Sequence, residues 1–123
     1  MRGSKNYFSL LAQHCDKISE RIENVTYDDW MQNDTLQDAV CMRLMALAEC
    51  VKVCLKENPS LSNEYPHIPW NRIVRFRDKI AHHYEGVDFD VVWEFLGSDI
   101  QPLHEVAAKL ATEPKFPSME FSR

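Results

Sequence analysis

Glycine is scarce in this sequence, which holds only 3 among its 123 residues. No G-x-G-x-x-G or G-x-x-x-x-G-K-[ST] pattern occurs, so the phosphate-binding loops of dinucleotide-binding and P-loop proteins are disfavoured. No apolar run approaches the roughly 18 residues that a membrane-spanning helix needs. The N-terminus also lacks a signal-peptide pattern. These absences predict a soluble, cytoplasmic protein without a membrane partner.

Metal-binding cysteine pairs are absent as well. None of the four cysteines forms a C-x-x-C pair, and the spacing of Cys50 and Cys54 is unusual for structural zinc. Each cysteine lies in an amphipathic stretch among apolar residues, which favours reduced thiols packed in a core. The sequence therefore predicts no metal site and no cofactor.

Apolar residues recur with a helical period along most of the chain, and no convincing alternating strand pattern appears. Long helices are predicted over residues 4–24, 35–57 and 70–81, and over 88–110 with a kink or a split after Asp99, because Pro102 interrupts the pattern. The predicted fold is all-α, an up-down bundle of four main helices plus short helical pieces. We expect one domain over residues 4–112 and a flexible C-terminal tail over 113–123.

Shorter signals mark the connections between these helices. Thr26 precedes two acidic residues and is predicted to cap a short helix. Residues 59–69 hold three prolines and are predicted to form a loop of about ten residues. Gly86 is expected to end the third long helix in a left-handed turn, and Asp88 or Asp90 to cap the next helix.

Positive charge is concentrated in one segment of an acidic protein. The net charge is −5, yet residues 70–84 carry Arg72, Arg75, Arg77 and Lys79 against Asp78 alone. Such an isolated basic strip indicates a local anion site. The alternative is a helix face that is solvated or paired with acidic neighbours.

The end of this basic segment combines side chains that suit phosphate chemistry. Arg77 is a permanent planar cation, and His82 can accept or donate a proton near neutral pH. The two lie five residues apart, about 140° around an ideal helix, so an unbroken helix would not aim them at one point. Either the helix ends near Ala81 and lets His82 turn in, or a second copy of the segment completes the site.

Residues 77–84 match the R-x4-H-x-Y motif of HEPN-domain proteins, and the chain resembles the HepT-like toxins of HEPN/MNT toxin–antitoxin pairs. The resemblance extends through the acidic turn and tryptophan helix of residues 86–93 and the Pro-Leu pair at 102–103. Pro69 and Trp70 resemble the family's entry into the motif helix. Ala48 and Glu49 resemble an element that usually reads Gly-Glu. The similarity covers about residues 5–112.

The resemblance implies a metal-independent endoribonuclease that dimerises, with two motifs facing each other across a cleft. His82 would then be the general acid or base, and Arg77 would hold the scissile phosphate. Asp78 would orient Arg77 or the partner's catalytic histidine, and Tyr84 and His83 would line the cleft. Arg72, Arg75 and Lys79 would contact the RNA backbone. In such pairs a nucleotidyltransferase antitoxin transfers AMP to the motif tyrosine, here Tyr84.

Other interpretations remain open for the protein and its residues. The chain could instead be a non-catalytic HEPN partner or accessory subunit of a nucleotidyltransferase, which its net charge of −5 favours. Arg77 and His82 could be cations that complement the helix dipole, and Tyr84 could pack on the core. Glu49 either pairs with the motif arginine or stays solvated. The three tryptophans are predicted to be core or interface residues.

Overall fold

The computed structural model describes residues 4–113, so the predicted tail lies, apart from Glu113, outside the described residues. This part of the chain contains seven α-helices, one 3-10 turn and no β-strand, which confirms the predicted all-α bundle. The elements are α1 (Ser4–Ile22), α2 (Tyr27–Gln32), α3 (Asp34–Glu57), α4 (Leu61–Glu64), α5 (Trp70–His82), the 3-10 turn (Tyr84–Gly86), α6 (Phe89–Ser98) and α7 (Ile100–Thr112).

Helices α1, α3, α5 and α7 make the body of the bundle. Helix α1 packs against both α3 and α7, and α3 also packs against α5. The apolar stripe of α1 explains this central position, because its side chains recur every three or four residues and are fully buried. The buried stripe of α1 consists of Phe8, Leu11, Cys15 and Ile18.

The short helix α2 is held by an N-terminal cap and by a side-chain hydrogen bond to another part of the chain. Thr26 caps this helix as predicted, and the cap consists of two reciprocal hydrogen bonds. The backbone N–H of Asp29 donates to the hydroxyl of Thr26, and the backbone N–H of Thr26 donates to the carboxylate of Asp29. The indole N–H of Trp30, which is fully buried, donates to the carbonyl of Phe89 at 2.8 Å. This bond joins α2 to the start of α6.

Two connections differ from the sequence-based expectation. The predicted loop over residues 59–69 contains α4, because Leu61 and Ile68 are buried and anchor the segment to the core. Gly86 does not adopt a positive φ, so the left-handed turn predicted there is wrong. The chain leaves α5 through a 3-10 turn instead, in which the N–H of Val87 donates to the carbonyl of Tyr84 at 3.0 Å.

The predicted fourth helical segment divides at Asp99, which ends α6 and begins α7. Pro102 therefore lies in the first turn of α7, where a backbone N–H has no partner within the helix. Asp88 is the residue that caps α6, since its carboxylate accepts from the N–H groups of Asp90 and Val91. Helix α6 packs against α7 and α2.

None of the four cysteines forms a disulfide, and all are buried among the bundle helices, which confirms the interpretation of them as core residues. Within residues 4–113 no group of three or more histidine, cysteine or acidic side chains is arranged to hold a metal ion. None of the helices in this range is long and apolar enough to cross a bilayer.

Candidate active site at the end of helix α5

Helix α5 presents the basic segment to solvent because its apolar side chains take the opposite face. Trp70, Ile73 and Ile80 are buried against the core. The remaining positions carry the predicted site residues. Arg72 and Arg77 are half-buried, whereas Arg75, Asp78, Lys79, His82 and His83 are exposed. The guanidinium of Arg72 lies over the ring of Phe76, 5.7 Å from its centroid, so the stem of this arginine follows the helix surface.

Arg77 is held by two carboxylates. Its Nε lies 3.3 Å from Oε1 of Glu49 on α3, and its Nη1 lies 3.5 Å from Oδ1 of Asp78. The predicted contact between Asp78 and Arg77 is therefore present. Of the two alternatives left open for Glu49, pairing with the motif arginine is the one observed. The Arg77 side chain remains 35% exposed, so a phosphate can still approach its guanidinium.

His82 belongs to α5, which runs without a break through this residue, and the N–H of His83 still donates to the carbonyl of Lys79 at 2.8 Å. The helix thus ends at His82, one residue beyond the predicted end near Ala81, and His82 keeps a helical position rather than turning in toward Arg77. His82 instead lines an open pocket of about 390 Å³ with Lys79, His83 and Glu85. Two imidazoles and one ammonium face the same space there.

Tyr84 points toward α3. Its hydroxyl donates a short hydrogen bond to Oδ1 of Asp38, and its ring meets the edge of the Phe89 ring at a centroid distance of 6.2 Å. Tyr84 and Asp38 line an open cavity of about 300 Å³ with Cys41 and three apolar side chains. Burial, followed by the hydrogen bond to Asp38, raises the pKa of Tyr84 above its usual value. Burial also raises the pKa of the neighbouring Cys41 thiol to about 11.

Apart from Arg72 and Arg75, the predicted residues thus form three groups on one protomer. Arg77 is grouped with Glu49 and Asp78, His82 with His83 and Lys79, and Tyr84 with Asp38. The contact to Asp38 escaped the sequence analysis, because Asp38 belongs to no motif and only the packing of α3 beside the end of α5 brings it to Tyr84.

The fold and the motif together define a class of protein, an all-α bundle that carries R-x4-H-x-Y at the end of one of its helices. The chain belongs to the HepT-like ribonuclease family, whose sequence model matches residues 11–110. This result confirms the resemblance found in the sequence, and it supports the predicted enzyme class.

Individual relatives agree with the family assignment. The chain is 31% identical over 109 residues to the "Probable ribonuclease HepT" of Thermococcus cleftensis, covering 89% of this chain and 96% of that protein. It is 26% identical over 115 residues to the "Putative RNase TTE0752" of Caldanaerobacter subterraneus, covering 94% and 100%. It is 29% identical over 109 residues to the "Putative RNase MJ1216" of Methanocaldococcus jannaschii, covering 89% and 88%. No solved structure matches the chain significantly.

Proposed function

We propose that the chain is a metal-independent endoribonuclease, and that residues 4–112 form the domain that carries the activity. The observation that supports this most directly is the placement of Arg77 and His82. Both are accessible to solvent, Arg77 in part and His82 more fully, and both match the R-x4-H-x-Y pattern that the sequence shares by resemblance with HEPN proteins. Arg72, Arg75 and Lys79 extend the same basic surface and would contact RNA phosphates.

The proposed reaction uses the 2′-hydroxyl of RNA as the nucleophile. The 2′-oxygen forms a bond to the adjacent phosphorus, the bond from phosphorus to the 5′-oxygen breaks, and a 2′,3′-cyclic phosphate is left. His82 takes the proton of the 2′-hydroxyl or supplies the one that the leaving 5′-oxygen needs. Arg77 stabilises the negative charge that develops on the phosphate oxygens. Asp78 orients the guanidinium.

A second copy of the chain would complete the site. Since α5 is continuous through His82, Arg77 and His82 of one protomer point about 140° apart. A symmetric homodimer that places two α5 ends face to face would bring the arginine of one protomer to the histidine of the other. Such an arrangement also places His83 and Tyr84 at the cleft.

We also propose that this enzyme is the toxin of a toxin–antitoxin pair and acts in the cytoplasm, where its buried cysteines stay reduced. Its antitoxin would be an MNT-type nucleotidyltransferase that attaches AMP to Tyr84. The tyrosine oxygen would bond to the α-phosphorus of ATP, pyrophosphate would leave, and the phenolic proton would pass to a base. The added phosphate would repel RNA from the basic surface because both are anionic.

Cleavage of total RNA and of tRNA in the presence of EDTA tests the proposal. We expect the wild-type protein to leave 2′,3′-cyclic phosphate ends and the His82→Ala variant to lose about 100-fold or more of the rate. His67→Ala is the matched control, because it removes another exposed imidazole, in the connection before α5. A folded, dimeric and unmodified wild type that cleaves nothing would contradict the proposal. The protein would then be a non-catalytic partner of a nucleotidyltransferase, and mass spectrometry would show whether Tyr84 carries AMP.

A further inference from the structure

Asp38 and Tyr84 join two parts of the bundle that are 46 residues apart in the sequence. Asp38 lies on the second turn of α3, and Tyr84 is the first residue of the 3-10 turn that follows α5. The tyrosine hydroxyl donates to one carboxylate oxygen, and its ring is supported on another side by Phe89. The side chain of Tyr84 is therefore held by a polar contact and by an aromatic contact.

The backbone connects this contact to the motif histidines. The carbonyl of His83 accepts from the N–H of Gly86 at 2.8 Å, and that of Tyr84 accepts from the N–H of Val87 at 3.0 Å. Tyr84 thus begins a closed turn that starts immediately after His82 and His83. Fixing its side chain to α3 restricts the directions in which the end of α5 and both imidazoles can move.

We propose that Asp38 is a positioning residue of the active site, which holds Tyr84 against α3 and thereby fixes the end of α5 that carries His82. This inference rests on the proposed ribonuclease function. Asp38 lies outside the R-x4-H-x-Y motif, and it acts on the reaction only through the tyrosine. Its carboxylate serves as the acceptor for the hydrogen bond that the phenolic hydroxyl donates.

Three single variants and one double variant test whether Asp38 acts on the reaction by positioning Tyr84. Asp38→Ala removes the acceptor, Tyr84→Phe removes the donor, and Asp38→Asn keeps an acceptor oxygen without the charge. We expect the first two each to lower kcat for RNA cleavage by about tenfold to 100-fold, because misplacement of a catalytic group by about 1 Å has effects of this size. KM should change by less than about threefold, because the phosphate-binding arginines stay in place.

The double variant Asp38→Ala/Tyr84→Phe should be no slower than the slower single variant, since the two residues act through one bond. Asp38→Asn should retain most of the wild-type kcat. Asp34→Ala is the matched control, because it removes an exposed acid from the first turn of the same helix. Fully multiplicative losses in the double variant, or an Asp38→Ala variant with wild-type kcat, would overturn the inference.

A spectroscopic measurement tests the contact itself without any activity. The groups that face the Tyr84 hydroxyl are Asp38 and the thiol of Cys41. In protein labelled with 13C at the tyrosine ζ carbon, Tyr84 should ionise at a lower pH in Asp38→Asn than in the wild type. Tyr84→Phe assigns the signal.

The two measurements together distinguish failure of the inference from failure of the proposed function. If the wild type is active but replacement of Asp38 leaves the Tyr84 signal or kcat unchanged, the inference alone is overturned. An inactive wild type overturns the ribonuclease proposal and the positioning role with it. A Tyr84 signal that still responds to Asp38 would then identify the contact as structural.

Discussion

The Nε atom of Arg77 lies 3.3 Å from Oε1 of Glu49, so the motif arginine is paired with a carboxylate from helix α3. Tyr84 has its own α3 partner in Asp38. Asp38 and Glu49 are eleven residues apart, which is about three turns and within about 20° of the same face of an ideal helix. One face of α3 therefore supplies acidic partners to two residues of the motif.

The pair of Arg77 and Glu49 is expected to matter for activity more than for stability. Both side chains are substantially exposed, at 35% and 54%, and exposed ion pairs contribute up to about 1 kcal/mol. Glu49→Gln should therefore change the free energy of unfolding, measured in urea, by less than about 1 kcal/mol. RNA cleavage should fall because the guanidinium loses one of the groups that orient it. A large loss of stability with unchanged cleavage would contradict this view of the pair.

The acidic face of α3 is only partly predictable from the sequence. Glu49 lies in a recognisable element, so the sequence offers it as one possible partner of Arg77, whereas Asp38 belongs to no such element. The periodicity of α3 predicts which residues are buried, and Val40, Leu44, Leu47 and Val51 are indeed fully buried. It does not predict which helix packs against the remaining faces, so the sequence leaves the pairing of Glu49 open and indicates no partner for Asp38.

Gln37 is expected to stabilise the junction between α2 and α3. It is 6% exposed, and its side-chain amide donates to the carbonyl of Trp30 at 2.9 Å. Gln37→Ala should lower the free energy of unfolding by about 1–2 kcal/mol, because that carbonyl keeps only a longer bond, at 3.4 Å, to the N–H of Asn33. Gln32→Ala is the control, since Gln32 is exposed and should cost less than about 0.5 kcal/mol. Equal losses in the two variants would refute the role given to Gln37.

His14 should make the stability of the bundle depend on pH. It is 9% exposed, and its Nδ1 lies 3.3 Å from Nη1 of Arg43. Because a guanidinium can only donate, Nδ1 is the acceptor and the ring is neutral. Burial, followed by the charge of Arg43, lowers the pKa of His14 below its usual value of 6.5.

A lowered folded-state pKa means that the unfolded chain binds the proton more readily, so this contribution to stability is complete above about pH 6.5 and is lost as the pH falls toward the folded-state pKa. The contribution of His14 can be measured by urea unfolding of the wild type and of His14→Gln at pH 7.5, 6.5, 5.5 and 5. The wild type should lose more free energy of unfolding over this range than the variant. Parallel pH dependences would show that His14 does not titrate in this way.

The helices themselves were predictable because each carries its own pattern. Local signals predict the cap at Thr26 and the division at Asp99, and both are present. The sequence does not predict helix α4, because prolines dominate residues 59–69. The two residues that anchor this helix, Leu61 and Ile68, are isolated apolar positions without a helical period. Their burial depends on tertiary contacts with the bundle.

The proposed homodimer leads to a subunit-mixing experiment. If each site takes Arg77 from one protomer and His82 from the other, Arg77→Ala and His82→Ala homodimers are both inactive. A mixed dimer then holds one site with both mutations and one site with neither. After random exchange of equal amounts, half of the dimers are mixed, so about one quarter of the wild-type RNA cleavage should return.

The control is the same mixture of two differently tagged His82→Ala preparations, which should stay inactive. If the Arg77→Ala and His82→Ala mixture also stays inactive although mass spectrometry detects mixed dimers, both residues must act within one protomer, and α5 would have to open after Lys79 to bring them together.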